Sequence, residues 1–502
     1  MGESFRKRRK ILGERLRKRR KISSKAWKAE TEAKYSSSSS YSWSDLPAEL
    51  LGLILRKVPF VDTIRCKAVC SSWRSAATQS QAQSHSIQST PWLMLPSDQE
   101  GDFTTSRFFN LAEKKVYKIK DVFGAFGDDV WCVGSCHGWL VMLDDEANPV
   151  IFNPFSRVHI QLPLIPVEFF KPIGRSKFAQ IKKDFVSKAI LFADPSHSNN
   201  FGVVVMIYGT LSSLAFCKQG DTTWTNFVGE NRGYYDIICH DNRLYALRYN
   251  CSVEVWEFQS ALPTKILSIE PTTTLKHVDG NLPRDKVSTQ LYLVKTSSDF
   301  LIIQRTIGNF VNAEGDVVDE SYLLSSSDTQ PLVCPYRTKL FCVYKLDLGK
   351  KLLVKVESLK DQVVFLGGNQ SMSLSSHDFS ECVSNSIYFT DDRWSEMDVD
   401  YLYGGHDFGL FNLDDEEIRP IYHSDLEKFD PPPFWITPNP WMENNEQKFE
   451  KTYRAQWESL SLPAPDWVRF PVDLSSEVFA GVGPRLGLWW ALNYLLWWVR
   501  SE

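Results

Sequence analysis

Cysteine and long apolar runs are scarce in this chain of 502 residues, and each scarcity excludes a class of protein. Ten cysteines are far fewer than a small disulfide-stabilised secreted scaffold carries. No uninterrupted apolar run reaches the roughly 18 residues that cross a bilayer, and no apolar leader opens the sequence. The most apolar stretch, 486–499, is interrupted by Asn493. We therefore expect a reducing compartment and no membrane span.

Catalytic and metal-binding signatures are also missing. The sequence has no Gly-x-Ser-x-Gly nucleophile turn, no Gly-x-x-x-x-Gly-Lys phosphate loop and no His-Glu-x-x-His zinc helix. The close pairs Cys66/Cys70 and Cys132/Cys136 lack a second pair at zinc-finger spacing. Cys136 precedes His137, so a cysteine nucleophile is conceivable, but the strand-like run around it favours a small buried residue. The sequence thus predicts no enzymatic activity, no metal and no cofactor.

Aromatic residues, by contrast, are abundant, with 31 Phe, 18 Tyr and 17 Trp. Such side chains suit pleated, half-buried surfaces, so they favour a mainly β fold. Short apolar runs at 138–143 and 150–152 flank a polar turn, and runs at 243–247 and 253–258 do the same. These patterns predict two β-hairpins. The acidic runs at turns, 144–146 and 414–417, are interpreted as solvated turns rather than cation sites.

Three apolar fragments look like the same strand recurring, namely 139–141, 244–246 and 387–389. Their separations of 104 and 143 residues fit two and three units of about 50 residues, the length of a kelch-like blade. The recurrence predicts a kelch-like β-propeller over residues 90–440. The alternative is a chance recurrence of common strand tripeptides in another β-rich fold.

Charge is distributed unevenly along the chain. Residues 1–21 hold eleven Lys or Arg against two Glu, a local charge of +9, so the other 481 residues carry −13. With the five serines at 36–40, this predicts a flexible basic arm and Ser-rich linker over residues 1–43. An acidic body argues against nucleic acid binding, although the arm alone could bind it. Two basic clusters predict a bipartite nuclear import signal and a nuclear protein, in part also cytoplasmic: Arg6, Lys7, Arg8, Arg9, Lys10, Lys18, Arg19, Arg20 and Lys21.

The segment 44–82 has a short helical pattern. Pro47 suits the first turn of a helix that Pro59 ends, Asp62 is a candidate cap for a second helix, and Ser71 begins a third that contains Trp73. Three such helices are too small to bury a good core, so a unit of this size usually completes itself against a partner.

The spacing of Leu46-Pro47, Glu49-Leu50-Leu51, Ile54-Leu55, Val69-Cys70 and Trp73-Arg74 closely resembles the F-box motif. Val58 and Thr63 are departures, since the motif usually has Leu at both positions. The resemblance implies a three-helix F-box that docks on the Skp-type adaptor of a cullin-based SCF ubiquitin ligase; the alternative is an autonomous three-helix bundle. The residues that the resemblance assigns to adaptor binding are Leu46, Pro47, Leu50, Leu51, Ile54, Leu55, Pro59, Ile64, Val69, Cys70 and Trp73.

The rest of the body resembles the plant family in which an F-box precedes a KIB-type β-propeller. The segments that carry this resemblance are 133–140, 152–156, 162–163, 409–411 and 434–438. It implies a substrate receptor whose propeller captures an unidentified protein for ubiquitination. An F-box-bearing nuclear scaffold or inhibitor that sequesters its partner without degradation is the alternative.

The C-terminal extension, 441–502, ends in eleven large apolar residues within fourteen positions, 486–499. As a helix this stretch would rise about 21 Å, short of the roughly 30 Å hydrocarbon core. Packing on the propeller or on a partner is therefore favoured over insertion into a membrane interface and over an unpacked extension.

Overall fold

The structure is a computed structural model in which the chain divides into two compact units, residues 88–462 and the remaining N- and C-terminal residues. The predicted basic arm, Pro59, Ile64 and the extension 441–502 lie outside the residues that the structure describes. Those described residues are 46–55, 66, 69–83, 90–97, 104–126, 130–144, 146–170, 185–195, 201–272, 275, 286–312, 316–319, 321, 336–393, 405–423 and 429–439.

The larger unit is built from strands, which form six sheets within the described ranges. Each sheet is formed by strands that follow one another along the chain, as in the blades of a propeller. The exception is the strand that closes the ring. Blade 1 combines β1 (Trp92–Leu95), β2 (Thr105–Asn110) and β3 (Lys115–Lys120) with the late strand β25 (Phe434–Ile436). Blade 2 contains β4 (Trp131–Cys136), β5 (Trp139–Leu143), β6 (Pro149–Asn153) and β7 (Val158–Gln161). Blade 3 follows a short 3-10 helix (Val167–Phe170) and contains β8 (Val186–Leu191), β9 (Val203–Tyr208), β10 (Ser213–Lys218) and β11 (Thr225–Asn226).

The remaining blades have the same antiparallel character, with one exception in the last. Blade 4 contains β12 (Tyr234–His240), β13 (Arg243–Arg248), β14 (Val253–Glu257) and β15 (Thr264–Ile269). Blade 5 contains β16 (Val287–Lys295), β17 (Phe300–Gly308), β18 (Arg337–Asp347) and β19 (Leu352–Val356). Blade 6 has the order β21-β20-β22-β23-β24, in which β20 and β22 are parallel: β20 (Gln362–Leu366), β21 (Ser371–Ser375), β22 (Ser386–Phe389), β23 (Gly409–Asn412) and β24 (Ile418–Arg419).

The sequence pattern explains the position of each strand in its blade. Strand β9 is a continuous apolar run buried along its whole length, because it is covered on both faces. Strand β3, at the edge of blade 1, alternates lysine with apolar residues and exposes the lysines. Hydrophobic cores lie between successive blades, for example between blades 3 and 4, where Phe216 packs with Ile237 and Trp256. The aromatic residues therefore fill the spaces between sheets.

The ring is closed by strand β25, which pairs with β1 although more than 300 residues separate them in the chain. Trp92 lies opposite Ile436 and Leu93 opposite Trp435. Blade 1 is thus made from both ends of the unit, so the predicted range 90–440 contains the segments that close the propeller.

The axis of the propeller holds a buried ion pair. Lys188 on β8 pairs with Asp236 on β12, and both side chains are almost inaccessible. Ser371 on β21 accepts from the lysine at 3.0 Å and donates to the aspartate at 2.9 Å. The amide of Leu293 on β16 donates to the same aspartate at 2.8 Å. Four innermost strands are therefore joined across the axis by one polar network.

Both predicted hairpins are present, but the predicted repeat spacing is only partly right. Residues 139–141 and 244–246 lie on the second strands of blades 2 and 4, two units apart as predicted. Residues 387–389 lie on β22 in blade 6, again two units further and not three. The extra length is in the connections 270–286 and 309–336, which insert between the strands without adding a blade.

The smaller unit contains helices α1 (Ala48–Leu55) and α2 (Ser71–Gln83) among its described residues. Helix α1 begins after Pro47, whose carbonyl accepts from the amides of Leu50 and Leu51 at 3.0 and 3.1 Å. The two helices enclose a small core of Leu51, Leu55, Cys66, Trp73, Ala76 and Ala77. Most of the segment predicted as a second helix lies outside the described residues. None of the described helices is long and apolar enough to cross a membrane.

Candidate docking and capture surfaces

Helix α1 presents apolar side chains to solvent. Leu50 is 45% exposed and Leu53 is 60% exposed. Residues three apart lie on neighbouring positions of one helix face, so the two leucines form a single exposed patch, which we call the α1 patch. Leu50 belongs to the predicted adaptor-binding set, whereas Leu53 was not predicted. Its signal in the sequence is the i, i+3 spacing from Leu50.

The other predicted adaptor-binding residues separate into two groups. Leu51, Leu55 and Trp73 are buried in the core between α1 and α2, so they hold the helices together and reach a partner only if that core opens. Pro47 is exposed and Ile54 is partly exposed, and three residues are partly exposed where they pack against the core: Leu46, Val69 and Cys70. The structure therefore leaves part of the predicted set accessible at the surface and buries the rest in the core.

The segment 133–140, which carries much of the resemblance in the propeller, contacts the end of the closing strand. Gly138 lies in the β4–β5 turn at φ +81°, and a Cβ there would lie 2.2 Å from the Cβ of Asn439 and 2.6 Å from the carbonyl oxygen of Thr437. Asn439 donates from Nδ2 to the carbonyl of His137 at 2.8 Å and accepts from Asn153 at 2.9 Å. We call these contacts the closure latch. The segment thus has a structural role in closing the ring.

Cys136 sits beside this latch, and its environment does not suit a nucleophile. Removal of solvent raises the pKa of the Cys136 thiol, and the charge of Lys188 opposes this only in part. Burial likewise raises the pKa of Cys132 to about 12. Both thiols stay protonated near neutral pH, and a thiol is a much weaker nucleophile than a thiolate. None of the nine cysteines that the structure describes forms a disulfide.

The two acidic runs lie in turns, as the sequence predicts. The Asp144 carboxylate accepts from the amides of Glu146 and Asn148 at 3.0 and 2.7 Å, which fixes the β5–β6 turn. Asp414 accepts from Asn385 at 2.7 Å. In the part of the chain that the structure describes, no group of three or more His, Cys, Asp or Glu side chains could hold a metal ion.

A buried charge cluster joins blades 5 and 6. Arg305 on β17 is inaccessible to solvent and donates to Asp392 at 3.1 Å and to Asp407 at 2.9 Å. Asp391 accepts from the hydroxyl of Tyr336 at 2.9 Å, and burial together with the charge of Asp407 raises the pKa of Asp391 to about 7. The cluster holds Asp391, Asp392 and Asp407 against the ends of β17 and β18. No sequence signal marked it, because its members are far apart in the chain.

A surface pocket lies where blades 3 and 4 meet. It is formed by the β9–β10 turn, the connection that leads into β12, and the β13–β14 turn. Turns of this kind all lie on the same face of a propeller, namely the face at which the innermost strand of each blade begins. The pocket has a volume of about 360 Å³ and is lined by Thr210, Leu211, Arg232, Gly233, Arg248, Tyr249 and Asn250. Sequence reasoning missed it because three separate turns build it.

The described residues form a small helical unit with an exposed leucine patch and a six-bladed propeller. Comparison with protein families identifies both. The F-box domain family matches residues 43–81, and the KIB1-4 beta-propeller family matches residues 108–412. The chain belongs to the KIB1-4 beta-propeller family, as a plant F-box protein with a KIB-type propeller.

The chain is similar to several Arabidopsis thaliana F-box proteins along most of its length. It is 25% identical over 405 residues to "Probable F-box protein At4g22060", an alignment that covers 76% of this chain and 92% of that protein. It is 24% identical over 427 residues to "F-box protein SKIP23", covering 79% of this chain and 95% of that protein. The similarity therefore includes nearly the whole length of these relatives.

Solved propeller structures are far more distant. The N-terminal domain of Nup159 is 10% identical, with a TM-score of 0.25 over 64% of this chain and 74% of that one. At this level the likeness carries no argument about function.

Proposed function

We propose that this protein is the substrate-receptor subunit of an SCF-type ubiquitin ligase. The observation that carries the proposal is the α1 patch, an exposed leucine pair on an F-box whose chain continues into a propeller. The F-box would dock on the Skp-type adaptor, and the propeller would hold a protein for ubiquitination by the cullin-based ligase. We place the complex in the nucleus, and in part in the cytoplasm, because of the basic clusters in the arm.

Such a receptor needs no bond chemistry of its own. Holding a substrate next to a ubiquitin-charged enzyme raises the effective concentration of the substrate's lysines. This role is consistent with the protonated cysteines. Two finer features of the fold, a third F-box helix and kelch-like blades, remain predictions that accompany this proposal.

The α1 patch is suited to docking because the core beneath it is independent of the exposed leucines. Leu50 and Leu53 lie outside the cluster formed by Leu51, Leu55 and Trp73. A partner can therefore cover them without rearranging the helices. An apolar side chain that a partner covers completely loses buried area and contacts when it is truncated, and at the centre of an interface this loss can reach about 2 kcal/mol.

The test is adaptor binding by the variant Leu50→Ala/Leu53→Ala. We expect each truncation to weaken binding of a purified Skp-type adaptor by about 2 kcal/mol if the leucine is a central anchor. The thermal unfolding temperature should change little, because neither side chain belongs to the core. Isothermal titration calorimetry measures the first effect and differential scanning calorimetry the second.

A matched control is Leu262→Ala/Leu348→Ala, which truncates two propeller leucines that are 47% and 44% exposed. This variant should bind the adaptor like the unmodified protein. Equal adaptor affinity of all three proteins would contradict the ligase proposal. The alternative is a nuclear scaffold or inhibitor that sequesters its partner without degradation. It would be favoured if the adaptor binds normally but the half-life of the captured partner in cells is unchanged.

A further inference from the structure

The pocket between blades 3 and 4 has a rigid floor. The amide of Gly233 donates to the carbonyl of Leu211 at 2.8 Å, and the amide of Tyr249 donates to the carbonyl of Gly233 at 2.8 Å. These backbone bonds tie the β9–β10 turn to the β13–β14 turn through the connection between the two blades. The pocket is thus formed before any ligand binds, which reduces the entropy lost on binding.

Two apolar side chains stand in the pocket and remain accessible. Leu211 is 63% exposed and Tyr249 is 53% exposed. The tyrosine is held in place, because its hydroxyl lies 2.6 Å from the Ser212 hydroxyl and its ring packs on Tyr235 with centroids 4.3 Å apart. A fixed, half-exposed aromatic ring beside an exposed leucine is the arrangement that anchors a bulky apolar side chain of a partner.

Two guanidinium groups, those of Arg232 and Arg248, line the pocket. Arg248 is 20% exposed as a side chain and Arg232 is 64% exposed, and both lie near the carboxylate of Glu230 at 3.6 and 3.3 Å. Arg232 makes its hydrogen bond to Glu230 through Nε. Because Arg232 and Glu230 are both largely in water, their attraction is screened and an incoming anion can replace the carboxylate. Arg248 also lies 3.5 Å from the buried Glu254, which fixes its side chain in place.

We propose that this pocket recognises a short segment of the captured protein in which an anionic side chain stands next to a bulky apolar one. The anion would contact Arg232 and Arg248, and the apolar side chain would lie between Leu211 and Tyr249. A volume of about 360 Å³ fits one or two side chains and not a folded surface. The inference rests on the proposed function, because it assigns the site at which the propeller holds its substrate.

The experiment uses the full-length protein and fluorescent decapeptide pools with randomised flanks and a fixed central pair. The pools carry Asp-Leu, phosphoserine-Leu, Asn-Leu or Asp-Ser at the centre, so that they separate the two sources of the anion and each half of the motif. By fluorescence anisotropy we expect the Asn-Leu and Asp-Ser pools to bind about tenfold more weakly than the better of the two anionic pools.

The pocket variants Arg232→Ser and Leu211→Ser should each weaken binding of that better pool by about tenfold. Matched controls lie at the opposite end of blade 4: Arg243→Ser, at a side chain that is 46% exposed and paired with Glu257, and Leu262→Ser. Both controls should bind within about twofold of the unmodified protein. All four positions are exposed, so folding should be preserved, and thermal unfolding checks it.

Three results would overturn the inference. The first is a failure of every pool to bind, and the second is equal binding by pocket variants and controls. The third is a concentration-dependent dimer that Leu211→Ser disrupts, since the occupant would then be a second copy of the chain. Adaptor binding is measured on the same preparations. If the adaptor binds and the pocket results fail, the inference alone is wrong, whereas loss of adaptor binding contradicts the proposed function.

Discussion

Asp391 is a buried residue whose ionisation is coupled to folding. It is 1% exposed, and its neighbours include the carboxylate of Asp407, so the charged form is doubly disfavoured. A carboxyl whose folded pKa lies above its unfolded pKa binds a proton more tightly in the folded chain. It therefore stabilises the fold most at pH values below its unfolded pKa, near 4, and this contribution is lost as the pH rises through about 7.

The variant Asp391→Asn should remove this dependence. From pH 5 to pH 8 we expect the free energy of unfolding of the unmodified protein to fall relative to that of the variant, by at most about 1.4 kcal/mol per pH unit. Urea unfolding at four pH values measures the difference. Asp319→Asn, at a side chain that is 73% exposed and paired with Lys286, should leave the slope unchanged. If the difference in free energy of unfolding between Asp391→Asn and the unmodified protein does not change with pH, the Asp391 carboxyl is ionised over the whole range from pH 5 to pH 8.

At the residue scale the sequence predicted local features and missed distant ones. Leu50 was assigned to adaptor binding by the spacing of the F-box motif, which is a short-range pattern, and that role stays a prediction. Arg305 and Lys188 read as ordinary strand residues, and each is buried only because partners from other blades surround it. Burial of a charge depends on partners that only the folded chain brings together.

At the scale of elements, the closing strand depends on one glycine. Gly138 and Gly220 have similar positive φ angles, +81° and +89°, but a Cβ at Gly220 would meet nothing within 4 Å. An alanine costs about 1–2 kcal/mol at either position because an L-residue disfavours this conformation. At Gly138 the added methyl would also displace Thr437 and Asn439, and so strain the closure latch.

We therefore expect Gly138→Ala to destabilise the propeller clearly more than Gly220→Ala does. The measurement is urea unfolding of both variants, together with hydrogen exchange of the amides in β25 and β1. Faster exchange in these two strands should accompany Gly138→Ala alone. Equal destabilisation by the two variants, with unchanged exchange, would mean that the latch contributes nothing to closure.

The hairpins of blades 2 and 4 were predictable because each is a local pattern of two apolar runs and a turn. The parallel pairing of β20 with β22 was not predictable from the sequence. Parallel strands are joined by a long connection, and such a connection produces no repeating pattern of residues. The same limit explains the wrong spacing for residues 387–389. Long connections such as 309–336, which joins β17 to β18 inside blade 5, add residues without adding a blade, so a repeat period measured in residues overestimates the number of units.

At the scale of the whole molecule, charge is distributed unevenly between a basic N-terminal arm and an acidic remainder of the chain. Residues 1–21 of the arm carry +9 and the other 481 residues −13. A concentrated basic segment binds anions in a salt-dependent way, whether they belong to a nucleic acid or to the acidic surface of an import receptor.

We expect import to depend on the two basic clusters and not on the total charge of the arm. Replacing Lys7, Arg8, Arg9 and Lys10 together with Lys18, Arg19, Arg20 and Lys21 by Gln should shift a fluorescent fusion of the full chain from nucleus to cytoplasm. Replacing Lys25, Lys28 and Lys34, which lie outside the clusters, should leave its distribution unchanged. Microscopy of the three proteins measures the nuclear fraction. An unmoved distribution would refute the import signal, and salt-sensitive binding of the purified arm to DNA would then favour a nucleic acid partner, because counterion release makes such binding fall steeply with salt.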